Sequence, residues 1–186
     1  IKMNHIYLIF LYSWTLLSKF INLYTKDEYV HVSLSFDNKF DKMYSFGRVF
    51  PTVPFIGGLV EENLTEGVYK RFNNTKCIIY KIPVSNCSYH LLKNELNEFL
   101  IKKDSYRYNF IGLFTYTINK PFERENHYFC SEFISHLLIE SKIYNTDKLP
   151  SLIRPNDLLN EISPKELIYE GLASDLSKVN INNNIA

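Results

Sequence analysis

A cysteine stands where an amphipathic helix begins, in the stretch NHYFCSEFISHLLIES at 126–141. Two readings of Cys130 compete. Free cysteine is among the most buried residue types and packs as a small apolar group. A thiolate, by contrast, is a nucleophile, and an unperturbed thiol has a pKa of about 8.5. A helix N-terminus carries roughly half a positive charge and unpaired N–H groups. Both favour a thiolate, and the N–H groups can hold an oxyanion. Helical spacing puts Phe133, Ile134, Leu137, Leu138 and Ser141 on the side of Cys130, so the sulfur faces inward at the first turn. Glu132 and His136 fall on the more exposed side at i, i+4, where they are expected to pair with each other.

A nucleophilic cysteine needs a base, and the chain offers five histidines. His127 sits in the entry turn, three residues before Cys130, where a surface or capping role competes with that of a base. His136 points away from the sulfur. His5 and His90 have nothing beside them to recommend chemistry. His31 is different. In YVHVSLSFD, Val30, Val32, Leu34 and Phe36 alternate with His31, Ser33 and Ser35, the period of a strand with one apolar and one small polar face. Small neighbours leave such a histidine free to approach a facing helix terminus. A partly exposed strand histidine is the bland alternative. A metal site built from His127, His136 and Cys130 is disfavoured by the helix directions, and no Cys/His quartet has zinc-like spacing.

The elements that must position these residues follow from periodicity and punctuation. The N-terminal run predicts a buried strand over His5–Tyr12 and a helix over Thr15–Tyr24, with Leu16, Leu17, Phe20, Ile21 and Tyr24 at helical spacing. It has the apolar character of a signal segment. Lys19 interrupts it, no small-x-small cleavage site follows, and it is shorter than a membrane span, so a cytoplasmic, folded segment is expected. After the His31 strand, residues 37–41 form a turn and 42–48 the returning strand of a hairpin. Residues 49–76 read as a loop punctuated by two prolines and Gly57-Gly58, with a lid as its functional reading. A strand over 77–85 ends near Pro83, and an amphipathic helix runs over 88–103 with Leu91, Leu92, Leu96, Phe99 and Leu100 on one side. The aromatic stretch 105–128 reads as irregular. Residues 154–162 open a short helix with Pro155 in its first turn and Asn156 or Asp157 as cap. Helices and short strands in mixed order, with a hairpin, define an α+β chain of one domain.

Composition narrows the function. The chain has 186 residues, of which 22% are charged, and its net charge is +1. That balance excludes the clustered basic footprint of a nucleic-acid binder. Three cysteines, Cys77, Cys87 and Cys130, with no CxxC spacing, point away from a disulfide framework. A Cys77–Cys87 bridge would close only a short loop. No cofactor motif is present.

The segments YVHVSLSFD, KMYSFGR, YRYNFIGL, HYFCSEFI and RPNDLL occur in this order. Together they resemble the circularly permuted branch of the NlpC-type papain-like superfamily, similar to YiiX-like thiol hydrolases, over roughly residues 5–160. Here the histidine strand precedes the cysteine helix, as in the permuted branch. The resemblance implies a papain-like fold, a small antiparallel sheet packed against helices. It implies Cys130 as nucleophile, His31 as general base and Tyr108, in YNFIG, as a residue shaping the oxyanion site. The third catalytic position falls on Tyr44 or Ser45. Neither supplies a carboxylate, so Glu61 or Glu62 is the candidate substitute, against a bland reading as solvated loop charges. Arg154 and Asp157 are expected to brace the end of the fold.

These residues imply a cysteine hydrolase cleaving an amide or other acyl bond in a peptide or lipid substrate. Two alternatives stand beside it: a lipid-directed acyl hydrolase or acyltransferase, with the aromatic run 106–122 lining an acyl groove, and an inert papain-like binding module. The bland reading of that aromatic run is core.

Overall fold

Residues Asn4–Tyr12 form β1, a central strand whose apolar side chains are buried on both faces because an apolar cluster packs on each side of the sheet. The computed structural model describes residues 3–12, 26–48, 57–64, 66, 67, 69 and 74–178; the helix expected over Thr15–Tyr24 lies outside them. With β2 (His31–Ser35), β3 (Met43–Arg48), β4 (Gly57–Glu62), β5 (Lys76–Val84) and β8 (Glu166–Leu172), β1 builds a six-stranded sheet in the order β4-β3-β2-β1-β5-β8. Every neighbouring pair is antiparallel. Two short strands, β6 (Arg107–Tyr108) and β7 (His127–Tyr128), pair in parallel away from it. Four helices among the described residues, α1 (Asn86–Ile101), α2 (Phe110–Thr117), α3 (Cys130–Glu140) and α4 (Pro155–Glu161), complete an α+β architecture.

Alternation along the strands divides the apolar residues between two faces. Ile6, Leu8 and Phe10 of β1 join Val32 and Leu34 of β2 in the cluster that packs on α1 and α3, through Leu92, Leu96 and Phe99 and through Phe133, Ile134, Leu137 and Leu138. Tyr7, Ile9 and Leu11 face the other way, with Met43, Tyr69, Cys77 and Ile79. The stripe on α1 is narrower than its sequence suggests: Leu91 is exposed and Leu100 only half-buried. Ser85 caps α1, accepting the Ser88 N–H at 3.0 Å.

Three elements depart from the sequence reading. The first lies in the segment 49–76, expected to be a loop. Gly57–Glu62 is instead a strand, paired with β3 from Met43↔Glu62 to Arg48↔Gly57. Gly57 and Gly58 are there for close approach. A Cβ on Gly57 would lie 2.7 Å from the Tyr108 Cβ and 2.8 Å from the Gly47 carbonyl oxygen, and one on Gly58 would lie 3.0 Å from the Tyr106 carbonyl oxygen. The second departure is α2, in a stretch read as irregular. Its start is signalled by Asn109, whose Oδ1 accepts the Gly112 N–H at 2.9 Å. The third is β8, an edge strand that pairs with β5 and is mostly exposed, so it shows little apolar alternation. It ends its pairing at Lys81↔Glu166, which leaves Pro83, paired with His5, beyond its reach.

In α4, Asp157 takes the capping role: its Oδ2 accepts the Arg154 N–H at 2.9 Å. Asn156 instead donates to Asp27 Oδ1 at 2.9 Å and ties this helix to the approach of β2. The three cysteines are free thiols, with Cys77 buried in β5 and Cys87 exposed on α1. Among the described residues no helix is long and apolar enough to cross a membrane.

The contact between β4 and β6 gives a direct test. Gly57→Ala forces its new methyl into the Tyr108 side chain and the Gly47 backbone, and should cost about 1–3 kcal/mol. The urea midpoint is expected to fall with the m-value unchanged; an unaltered midpoint would show that β4 does not pack here as described.

Candidate active site

Cys130 is the first residue of α3, as its place in the sequence suggests. The N-cap is Phe129, in extended conformation at φ −106° and ψ 172°. A phenyl ring has no acceptor, so no N-cap side chain takes up the first N–H groups of the helix. The turn is nevertheless fixed from several sides. Glu132 reaches back to accept the Phe129 N–H at 3.2 Å, and Ser131 Oγ donates to the Ile153 carbonyl at 2.7 Å. The β6–β7 pair ties Tyr108 to the entry of the helix, because the Arg107 N–H donates to the Asn126 carbonyl at 2.8 Å and the Asn109 N–H to the Tyr128 carbonyl at 2.9 Å. Cys130 itself is 3% exposed and points its thiol at the Val30 carbonyl, 3.8 Å away.

The next residue in the chain after Val30 is His31, at the first position of β2. Its imidazole hydrogen-bonds with the Cys130 side chain. Its Nε2 lies 3.1 Å from each carboxylate oxygen of Glu62. With Nε2 turned to Glu62, Nδ1 is the nitrogen left for the sulfur. Ser33, two residues along β2 and on the same face, donates to Glu62 Oε2 at 2.6 Å and lies 3.3 Å from His31 Nε2. The Tyr69 hydroxyl adds a further hydrogen bond to Glu62. Glu62 belongs to β4, two strands from β2, and it reaches His31 across Gly47 of β3. A Cβ on Gly47 would lie 3.5 Å from Glu62 Oε1 and 3.8 Å from His31 Cε1, and any longer side chain there would separate the pair.

The structure thus brings Cys130 and His31 together and puts Glu62, not Tyr44, on the imidazole. Tyr44 pairs with Leu34 in register, so its ring lies on the helix-packed face, edge-on to Phe36. That is the face opposite His31 and Ser33, and it corrects the expectation for Tyr44. Ser45 is buried and donates to the Val32 carbonyl at 2.7 Å, a structural use. Glu61 alternates away from Glu62 and pairs with Lys42 at 3.1 Å near solvent. Tyr108 is 8% exposed, its ring stacked obliquely on Phe110 at 4.6 Å and its Cβ against Gly57. It therefore walls the same end of the sheet. His127 lies outside the cluster, its Nδ1 bonded to the Glu125 carbonyl at 2.7 Å. The expected Glu132–His136 pair does not form. His136 pairs with Glu95 of α1 at 3.4 Å, and Glu132 is buried. Ser33 and Tyr69 are the partners that sequence reasoning missed. Ser33 had a signal, its place two residues from His31 on one strand face; Tyr69 had none. Among the described residues no cluster of His, Cys, Asp or Glu is arranged to hold a metal ion. An open cavity of about 430 Å³ borders Glu62 on its acidic side, lined also by Asp41, Lys42, Glu61, Asn63 and Glu66.

Charge is concentrated in the His31–Glu62 pair, with His31 at 20% and Glu62 at 16% side-chain exposure. Burial works against protonation of the imidazole, but the Glu62 charge and the hydrogen bonds to Cys130 and Glu62 outweigh it, and His31 is pushed up to about 10. Burial works against ionisation of Glu62, and the His31 charge with the His31, Ser33 and Tyr69 hydrogen bonds holds it below the usual carboxylate range. The pair is therefore charged through neutral pH. The sign of the linkage differs at the two ends. The His31 contribution to stability is complete below its ordinary value of 6.5 and is lost as pH rises through about 10. The Glu62 contribution is present above its ordinary value of 4.5 and is lost as pH falls through its depressed folded value.

No family model matches the chain, and no curated protein or solved structure matches it. The chemistry of the site is therefore read from its geometry.

An NMR titration of the imidazole tests the pair. His31 should keep imidazolium shifts from pH 6 to 8 in the native chain, and Glu62→Gln should bring its titration down by more than one pH unit. Titration of native His31 between pH 6 and 7 would mean that Glu62 does not govern it.

Proposed function

We propose that the chain is a cysteine hydrolase of the permuted papain-like, NlpC-type class, cleaving an amide or ester-type acyl bond. One observation carries this reading: a single imidazole lies between a carboxylate on Nε2 and a cysteine at the start of a helix. That is the arrangement of nucleophile, base and orienting group that thiol catalysis needs. Glu62 answers the weakness in the sequence reading, since it brings the charge that Tyr44 and Ser45 lack.

The proposed reaction runs in two steps. His31 is already imidazolium at neutral pH, so Cys130, its proton lost to solvent, attacks the substrate carbonyl carbon as a thiolate held beside that charge. The oxyanion that forms is held by the open N–H groups of the first turn of α3, beside the Tyr108 wall. The imidazolium gives its proton to the leaving nitrogen or oxygen, and a thioester remains on Cys130. Neutral His31 then takes a proton from water, which attacks the thioester; the carboxylic acid is released, the sulfur leaves as thiolate, and the thiolate–imidazolium pair is restored. Glu62 keeps its charge throughout and stabilises the imidazolium whenever it forms.

A lipid-directed version of the same chemistry is the second reading. It is favoured by Ile111 of α2, Ile118 in the turn just past its end, and Phe122, all exposed in the segment that follows Tyr108. A panel of peptide amides and lipid amides or esters separates the two substrate classes.

Thiol chemistry tests the core of the proposal. At pH 7, buried Cys130 should react with iodoacetamide faster than exposed Cys87, as read by mass spectrometry, and His31→Ala should slow Cys130 alone by about tenfold or more. Slower reaction at Cys130 than at Cys87, indifferent to His31→Ala, would make the chain an inert binding module. In the panel, Cys130→Ser is expected to keep the circular dichroism of the native fold and lose all hydrolysis.

A further inference from the structure

Glu132 lies two residues beyond Cys130 and is 4% exposed, a charged side chain that the reaction above does not use. Buried carboxylates are rare unless they are paired or hydrogen-bonded. This one is bound to two donors. It accepts the Phe129 N–H at 3.2 Å and a hydrogen bond from the Asn109 side chain. Asn109 is fully buried and fully used: its amide nitrogen also donates to the Phe122 carbonyl at 2.9 Å, and its oxygen accepts the Gly112 N–H at 2.9 Å. Asn109 follows Tyr108 directly, and its own backbone N–H is held by Tyr128. One carboxylate thus joins the turn that presents Cys130 to the strand that presents Tyr108 and to the start of α2.

We propose that Glu132 is a positioning residue for this site: its carboxylate locks the Phe129–Cys130 turn to Asn109, and so fixes the first-turn N–H groups relative to the sulfur. The role rests on the acyl-transfer reading and acts on its oxyanion step. A neutral residue could pack in this place at less cost, because an ionised carboxylate removed from water is unfavourable. Burial pushes the Glu132 carboxyl up to about 7, the Phe129 and Asn109 hydrogen bonds pull it down, and the charge of Glu123 adds to the upward push. Tyr128, which faces the same acids, is itself raised to about 12 and stays neutral. Glu132 therefore binds its proton near neutrality. Charge-assisted hydrogen bonds are roughly twice as strong as neutral ones, so the lock is tightest above about pH 7. The stability sign is opposite. A carboxyl raised from 4.5 lowers stability as pH rises from there to about 7. Firm positioning and maximal stability are thus set against each other at one residue.

Two probes of the same sulfur separate positioning from thiolate supply. Iodoacetamide alkylation needs only the thiolate. Acylation by p-nitrophenyl acetate passes through a tetrahedral oxyanion: the sulfur, as thiolate, bonds to the acetyl carbon and p-nitrophenolate leaves, while His31 stays protonated. The ratio of acylation to alkylation at Cys130, measured in single turnover by mass spectrometry, reports the oxyanion site. In the native chain the ratio should rise between pH 6 and 8. E132A should lower it at pH 8 by at least about tenfold, since small misplacements of reacting groups are costly. E132Q keeps an acceptor for the Phe129 N–H and cannot ionise. It should recover most of the E132A loss, show a ratio flat through pH 7, and melt at or above the native temperature at pH 8. If E132A does not fold, the E132Q profile alone decides. An E132Q ratio that follows the native pH profile, equal losses in both probes, or no acylation of native Cys130 would overturn the positioning role. The hydrolase reading fails separately, if His31→Ala leaves Cys130 alkylation unchanged.

Discussion

The buried ion pair between His31 and Glu62 is the constraint around which this molecule is arranged. Two charges removed from water are tolerated only when geometry and added hydrogen bonds compensate their desolvation. Here Glu62 receives Nε2 on both oxygens, with Ser33 and Tyr69 supplying further donors. The pair spans three strands, so it requires β2, β3 and β4 to be in one register and Gly47 to leave the lane between them empty. Breaking it by removing one partner would strand the other charge in the sheet.

The helix-packed face completes the arrangement from the other direction. Phe133, Ile134, Leu137 and Leu138 seat α3 against β2 and β3, and this seating delivers Cys130 to the Val30 carbonyl, one residue from the imidazole. The sulfur therefore comes to His31 from the helix layer, and the carboxylate comes from β4 within the sheet. Aromatic packing makes that end of the molecule stiff: Phe46 contacts Tyr106, Tyr128 and Phe133 within 6.0 Å between ring centres, and Phe99 stacks on Tyr106 at 4.8 Å. Rigid neighbours hold a catalytic geometry better than mobile ones. The high aromatic fraction of the chain is spent here largely on core.

Hydrogen-bonded polar groups do the local positioning, and they are short-range. Ser131 to Ile153, Glu132 to Phe129 and Asn109 to Gly112 each fix one turn of backbone near the sulfur. The absence of an acceptor on Phe129 has the opposite effect, leaving the first-turn N–H groups of α3 without a side-chain cap. A serine or aspartate at that position would cap the helix better and close off the donors that an oxyanion needs.

Local pattern alone was enough to find β1, β2, β3, α1 and α3, and to set Cys130 at a helix start facing inward, because each is an amphipathic segment whose period is visible in a short window. It also singled out His31, whose serine neighbours on one strand face are a local fact. It did not find β4, since two glycines looked like turn punctuation and their close approach to Tyr106 and Tyr108 involves residues about fifty positions away. It did not choose among Tyr44, Ser45, Glu61 and Glu62 either. That choice depends on register: side chains alternate along a strand, so one residue's shift exchanges the faces. Tertiary pairing of β3 with β4 turns Glu62 toward His31 and Glu61 toward Lys42, and no local signal in VEEN separates the two. The sequence by itself determined which residues are chemically able; only the tertiary structure decided which of them meet, because contacts across three strands are set by packing and register, not by spacing along the chain.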